Sequence, residues 1–224
     1  MNTADGPARP APSPLIASSG VVAVMRARHA AQYAPVIDAL VTGGVRSIEL
    51  TLSTEGVFEE LPRLRAEFAG AAELGIGTIT TGQEARRAVD GGAEYLVTPV
   101  RSEEVSAVAR AAGVPFFPGG FTPTELHANW MDGATAVKVF PASLVGPSVI
   151  GHLRGPFPDI QVIPSGGVTI EGAADWIAAG ALAVSLGGPL LKDAFKDGDM
   201  AALTARARDI VARVADARAA LGEA

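Results

Sequence analysis

The sequence predicts an α/β protein, a (β/α)8 or TIM barrel in a single domain. Three observations carry this expectation. From Gly20 onward, eight short apolar runs rich in Val and Ile alternate with stretches rich in Ala, Glu and Arg. The runs begin about 20 to 27 residues apart, the length of a strand, a helix and two short loops. The first run is not followed by G-x-G-x-x-G, which speaks against an open doubly wound sheet.

In chain order, residues 1–19 are rich in Pro, Ala and Ser and predict a flexible lead-in without the apolar core of a secretion signal. The barrel domain is expected over 20–224. The strand candidates are Val21–Arg26, Ser47–Leu52, Leu74–Ile79, Tyr95–Val100, Pro115–Gly119, Ala136–Pro141, Gln161–Ser165 and Leu182–Leu186. Between the first two, His29–Thr42 has apolar residues at helical spacing and stops at Gly43-Gly44. Gly91-Gly92 ends the helix before the fourth strand in the same way. Ser102-Glu103-Glu104 starts a helix that stops at Gly113. Thr122-Pro123-Thr124-Glu125 supplies an N-cap, a proline at the first helical position and an acidic first turn. Gly133 and Gly180 close later helices. Met200–Leu221 is a long final helix laced with Arg and Asp.

Composition narrows the chemistry. The 224 residues include no cysteine, which excludes disulfides, Cys-ligated zinc, iron–sulfur clusters and a cysteine nucleophile. Eighteen Lys and Arg stand against 24 Asp and Glu, a net charge of −6 that argues against nucleic-acid binding. No run of about 18 apolar residues predicts a membrane span, so a cytoplasmic protein is expected. His29, His127 and His152 lack metal-ligand spacing, and no metal or cofactor is expected. Trp130 and Trp176 read as packing residues.

Alternation along the strands selects the candidate site. In Ser47–Leu52, Ile48, Leu50 and Leu52 share one face, and Ser47, Glu49 and Thr51 share the other, which faces the interior. An interior carboxylate is costly unless paired or functional. An ion pair with Arg26 or Arg46 is the alternative. Lys138 interrupts the apolar run Ala136–Pro141, in a chain with only three lysines, Lys138, Lys192 and Lys196. Buried lysines are rare unless paired, and amines form Schiff bases with carbonyl substrates. Strands two and six stand opposite each other in an eight-stranded barrel, so Lys138 and Glu49 can meet across its axis. A structural ion pair between them is the alternative for Lys138, one that could also position both groups. Arg26 ends the first strand at the expected mouth, where its fork suits a carboxylate or phosphate. Ser165-Gly166-Gly167 and Leu186-Gly187-Gly188 follow strands seven and eight, the usual phosphate position of this fold.

Six motifs in order resemble the class I 2-keto-3-deoxy-6-phosphogluconate (KDPG) and 4-hydroxy-2-oxoglutarate aldolases. They are Val22–Arg26, Ile48–Thr51, Gly75–Thr78, Phe117–Gly119 with Thr122–Glu125, Val137–Pro141 and Pro164–Val168, within a likeness spanning about Gly20 to Lys192. The resemblance implies a TIM barrel, usually a homotrimer, with Lys138 as Schiff-base lysine and Glu49 as general acid/base. It implies that Thr78 contacts the pyruvate part, that Pro99 and Phe140 form the pocket wall, and that Gly166, Gly167, Gly187 and Gly188 bind phosphate. The implied partners are the phosphosugar acid and pyruvate. Some members carry an Arg four residues after the catalytic Glu. Ser53 stands there in this chain, and Arg26 is the natural substitute. Gly188 stands where many members have Ser, and Pro189 removes a backbone donor. Ser165, a substrate-binding candidate, leans toward the gluconate over the galactonate substrate. The rival expectations are the galactonate or oxoglutarate aldolase reactions and, in another class, a phosphate-binding barrel isomerase.

Overall fold

The computed structural model describes residues 9–196 and 198–222. Its strands are β1 Val21–Met25, β2 Ser47–Thr51, β3 Glu73–Gly77, β4 Leu96–Val97, β5 Phe116–Phe117, β6 Gly119–Gly120, β7 Val137–Val139, β8 Val162–Pro164 and β9 Val184–Leu186. The helices are α1 Pro14–Ser19, α2 Tyr33–Thr42, α3 Val57–Glu67, α4 Gly82–Asp90, α5 Glu103–Ala112, α6 Pro123–Met131, α7 Val149–Arg154, α8 Ala173–Ala178, α9 Gly188–Leu191 and α10 Met200–Gly222. Every strand pairing is parallel. One curled sheet has the order β5-β4-β3-β2-β1-β9, and a second has β6-β7-β8. Pro118 separates β5 from β6, because it has no N–H to continue a ladder, while its carbonyl accepts from Lys138 N at 2.8 Å. Between β8 and β9, Leu182 N donates to Val162 O at 2.9 Å and Ser165 bridges Ser185.

Strand alternation sorts the buried side chains into two layers. Val21, Ala23, Ile48, Leu50, Val137 and Val139 pack outward against the helices, where Leu40, Leu61 and Ile210 meet them. Val22, Tyr95, Val97, Phe117, Ala136, Ile163 and Ala183 form an inner cluster. Burying a large aliphatic side chain in the outer layer contributes about 1.5–3 kcal/mol. Helix α10 buries Leu203, Ala207, Ile210 and Val214, the stripe expected of an amphipathic helix. The capping box expected at Thr122 and Glu125 is formed, and Thr81 with Glu84 forms another ahead of α4. Gly113 closes α5 in the left-handed conformation, at φ 66°. Among the described residues, no helix is long and apolar enough to cross a membrane.

The structure departs from the sequence expectations in places with local causes. Part of the expected lead-in is ordered, whereas residues 1–8 lie outside the described residues. Helix α1 forms because Ser13 accepts from Ile16 N and Pro14 sits at its first turn. Ile16 then joins the inner cluster at 1% exposure. Arg9 lies over the Trp130 ring and donates to Ala134 O at 2.7 Å. The expected strand Tyr95–Val100 keeps only Leu96 and Val97 in regular pairing. His29 is an N-cap, not the first helical residue, and a 3₁₀ turn over Ala30–Gln32 leads into α2.

Glu73, outside the expected strand Leu74–Ile79, opens β3. It is 4% exposed, and its Oε1 has no hydrogen-bond partner. Burial pushes its carboxyl up, against the opposing pull of the Ser13 and Ser47 hydroxyls. The folded state therefore holds this proton more tightly than the unfolded chain. Its favourable contribution is complete below the unfolded glutamate value of about 4.3 and is lost as pH rises through the raised folded value. Glu73→Gln should raise stability at pH 7 by roughly 1 kcal/mol. In thermal melts the gain should shrink toward zero near pH 4. An equal gain at both pH values would contradict the assignment.

Candidate active site

Lys138 reaches the interior because its neighbours do not. Val137 and Val139 are buried outward in the helix-facing layer, so strand alternation turns Lys138 inward. Its ladder is fixed on both sides, by Gly119 and by Ile163 in register. Glu49 turns inward by the same rule, between Ile48 and Leu50. The two side chains meet with Lys138 Nζ 3.9 Å from Glu49 Oε2, and their side chains are 9% and 2% exposed. Glu49 thus pairs with Lys138 and not with Arg26 or Arg46. The Phe140 ring centroid lies 5.5 Å from Nζ.

The carboxylate has room because β3 carries glycine opposite it. A Cβ on Gly77 would overlap Glu49 Oε1. Below it, a Cβ on Gly75 would overlap the Tyr95 ring, whose hydroxyl accepts from Ser47 Oγ at 3.2 Å. Full burial raises the Tyr95 hydroxyl well above its usual range and keeps it neutral. The Gly-Ile-Gly run is therefore a space requirement of the interior.

A cavity of about 440 Å³ opens above the pair. It brings together Arg26, Glu49, Thr78, Pro99, Lys138, Phe140, Ser165, Gly166, Gly167, Gly187 and Gly188, all the residues singled out from sequence. Gly166 and Gly167 both have positive φ, 81° and 86°, and their missing Cβ atoms make way for Phe140 and Ser143. Arg26 is exposed at the mouth. Among the charged groups on the walls are three cations, Arg26, Lys138 and Lys192, and one carboxylate, Glu49. The site is thus electropositive in a protein of net charge −6, which favours an anionic substrate. Among the described residues, no group of three or more His, Asp or Glu side chains is placed to hold a metal.

Sequence reasoning missed several walls. Ser185 lies on the inward face of β9, where its Oγ and that of Ser165 are 3.3 Å apart. Alternation along Val184–Leu186 contains that signal. Lys192 also lines the cavity, and its rarity as a lysine was the available clue. Phe195 reaches the wall through packing alone, its ring 5.9 Å from that of Tyr33.

The sequence profile of KDPG and KHG aldolase matches residues 15–206. A 2-dehydro-3-deoxy-phosphogluconate aldolase from Dickeya dadantii (strain 3937) is 34% identical over 86% of this chain and 89% of its own. A probable 2-dehydro-3-deoxy-6-phosphogalactonate aldolase from Rhizobium meliloti (strain 1021) is 32% identical over 80% and 85%. The crystal structure of a 4-hydroxy-2-oxoglutarate/2-dehydro-3-deoxyphosphogluconate aldolase from TTHB1 superposes with a TM-score of 0.76. It is 34% identical and is covered over 96% of its length by 89% of this chain. With the profile spanning most of the chain, this protein belongs to the KDPG and KHG aldolase family.

Proposed function

We propose that this protein is a class I aldolase that cleaves KDPG to pyruvate and glyceraldehyde 3-phosphate. The observation that carries the reading is the Lys138–Glu49 pair at the floor of an electropositive cavity with two glycine-rich loops. The Lys138 amine attacks the C2 ketone, and loss of water leaves a protonated imine. The C4 hydroxyl then gives its proton to Glu49, directly or through a water. The C3–C4 bonding pair moves into the imine, leaving an enamine as the aldehyde departs. Glu49 returns the proton to C3, and hydrolysis of the imine frees pyruvate and the lysine. Arg26 and Thr78 hold the carboxylate end. Pro99 and Phe140 wall the pocket, and the glycine loops hold the phosphate and fix the reacting bond above Lys138. Ser165 supports the gluconate substrate, whereas the Rhizobium relative favours the galactonate epimer as a second reading.

The architecture that supports this chemistry is one closed (β/α)8 barrel in a single domain. Its support is the Ser165–Ser185 bridge and the near-continuity of β5 and β6 across Pro118. Val22, Glu49, Val97, Phe117, Lys138, Ile163 and Ser185, from seven strands, also surround one small interior space. The proposal extends to a cytoplasmic homotrimer, for which the exposed Val100, Met131 and Leu144 offer apolar contact surface.

Incubation with each of the three keto acids, with pyruvate measured by a coupled dehydrogenase, tests the reading. The phosphogluconate substrate should give kcat/KM at least about 10-fold above its epimer. Pyruvate from none of them would overturn it. Gly77→Ala provides a geometric check. Its methyl group would push the Glu49 carboxylate aside, and a misplacement of that size costs about 10²-fold in turnover. Turnover within a few-fold of the parent enzyme would mean that Glu49 needs no fixed position.

A further inference from the structure

We infer that Lys192 is the phosphate-recognising cation of this enzyme and replaces donors that its glycine loop lacks. The inference rests on the aldolase reading and names the residue that reads the anionic end of the substrate. The loop after β9 offers only backbone N–H donors of Gly187 and Gly188, because Gly188 has no side chain and Pro189 has no N–H. Lys192 follows four residues after Gly188 and lines the same cavity.

Its placement is specified by the fold. Among the described residues, only two non-glycine residues have positive φ, Thr78 at 66° and Lys192 at 48°, and both line this cavity. Such backbone is unfavourable and persists only where surrounding contacts enforce it, and it gathers at functional sites. The contacts here are explicit. Lys192 N donates to Gly188 O at 2.8 Å. Arg206 of α10 donates to Leu190 O at 2.7 Å and to Leu191 O at 3.4 Å, clamping the two residues before Lys192. Phe195 packs edge-on against Tyr33 just after it. The ammonium makes no salt bridge within 4.0 Å among the described residues, unlike that of Lys138. A compact, multi-donor cation at the mouth of a site whose covalent centre lies at the floor suits the far end of a substrate, a phosphate monoester.

Lys192→Gly tests this, since glycine accepts the backbone conformation while the side chain and its ammonium are lost. KDPG and the same acid without its phosphate are the substrates. Lys192→Gly should lower kcat/KM for the phosphorylated acid by roughly 10- to 100-fold, the range for a charge-assisted contact. The unphosphorylated acid should lose far less, and Lys192→Arg should recover most of the loss. Inorganic phosphate should raise the melting temperature of the parent protein but not of Lys192→Gly. Equal losses on both acids, or equal stabilisation of both proteins by phosphate, would overturn the inference. Failure of the parent protein to cleave either acid would overturn the aldolase reading instead, and the phosphate titration would still decide the role of Lys192.

Discussion

Replacing Lys138 with arginine is expected to lower turnover by roughly 10⁴- to 10⁶-fold, the scale seen when an enzyme loses its covalent nucleophile. The substitution separates two roles of the side chain. Arginine keeps a cation beside Glu49, so the buried carboxylate does not stand alone. Its guanidinium stays protonated and cannot attack a ketone. A neutral replacement would confuse the two effects, because breaking a buried pair typically costs about 3–5 kcal/mol. The cavity above the pair leaves space for the larger head group. The melting temperature should therefore change little while product formation collapses. Appreciable turnover by Lys138→Arg would exclude an imine at this position.

Glu49→Gln should have the second largest effect, a loss of roughly 10²- to 10⁴-fold, the usual contribution of a positioned acid or base. Glutamine fills the space that Gly77 leaves open but cannot take the C4 hydroxyl proton or return it to the enamine. The proposed chemistry divides at this residue. Imine formation requires Lys138, whereas bond cleavage requires Glu49 as well. Glu49→Gln should still trap pyruvate on reduction, though more slowly, while exchange of the pyruvate methyl protons with solvent should fall with turnover. A variant that keeps near-normal turnover would reduce Glu49 to an ion-pair partner.

The parts of this molecule that were legible in the sequence are those governed by strand alternation. Lys138 interrupts an apolar run, Glu49 alternates with Ile48 and Leu50, and period-two geometry sends both inward, where they meet. Helix ends were legible through capping chemistry at Ser102, Thr122 and Gly113. What escaped depends on tertiary packing. Helix α1 is only six residues long and is held by the burial of Ile16, which composition does not disclose. The shortness of β4 follows from its pairing partners in β3 and β5, outside its own segment. Ser185 looks like one hydroxyl in an apolar run until it is seen beside Ser165. Glu73 looks like a surface charge until the chain packs around it. Lys192 faces the cavity because Arg206 and Phe195 hold its loop, and both interactions come from residues that follow it in the chain.

The central claim is that Lys138 forms the covalent bond to substrate. It is tested most directly by reducing the protein with borohydride in the presence of pyruvate and weighing its peptides. The account predicts one added pyruvyl group, carried by the peptide containing Lys138 and absent from Lys138→Arg. A label on Lys192 or Lys196, or no label at all, would contradict it.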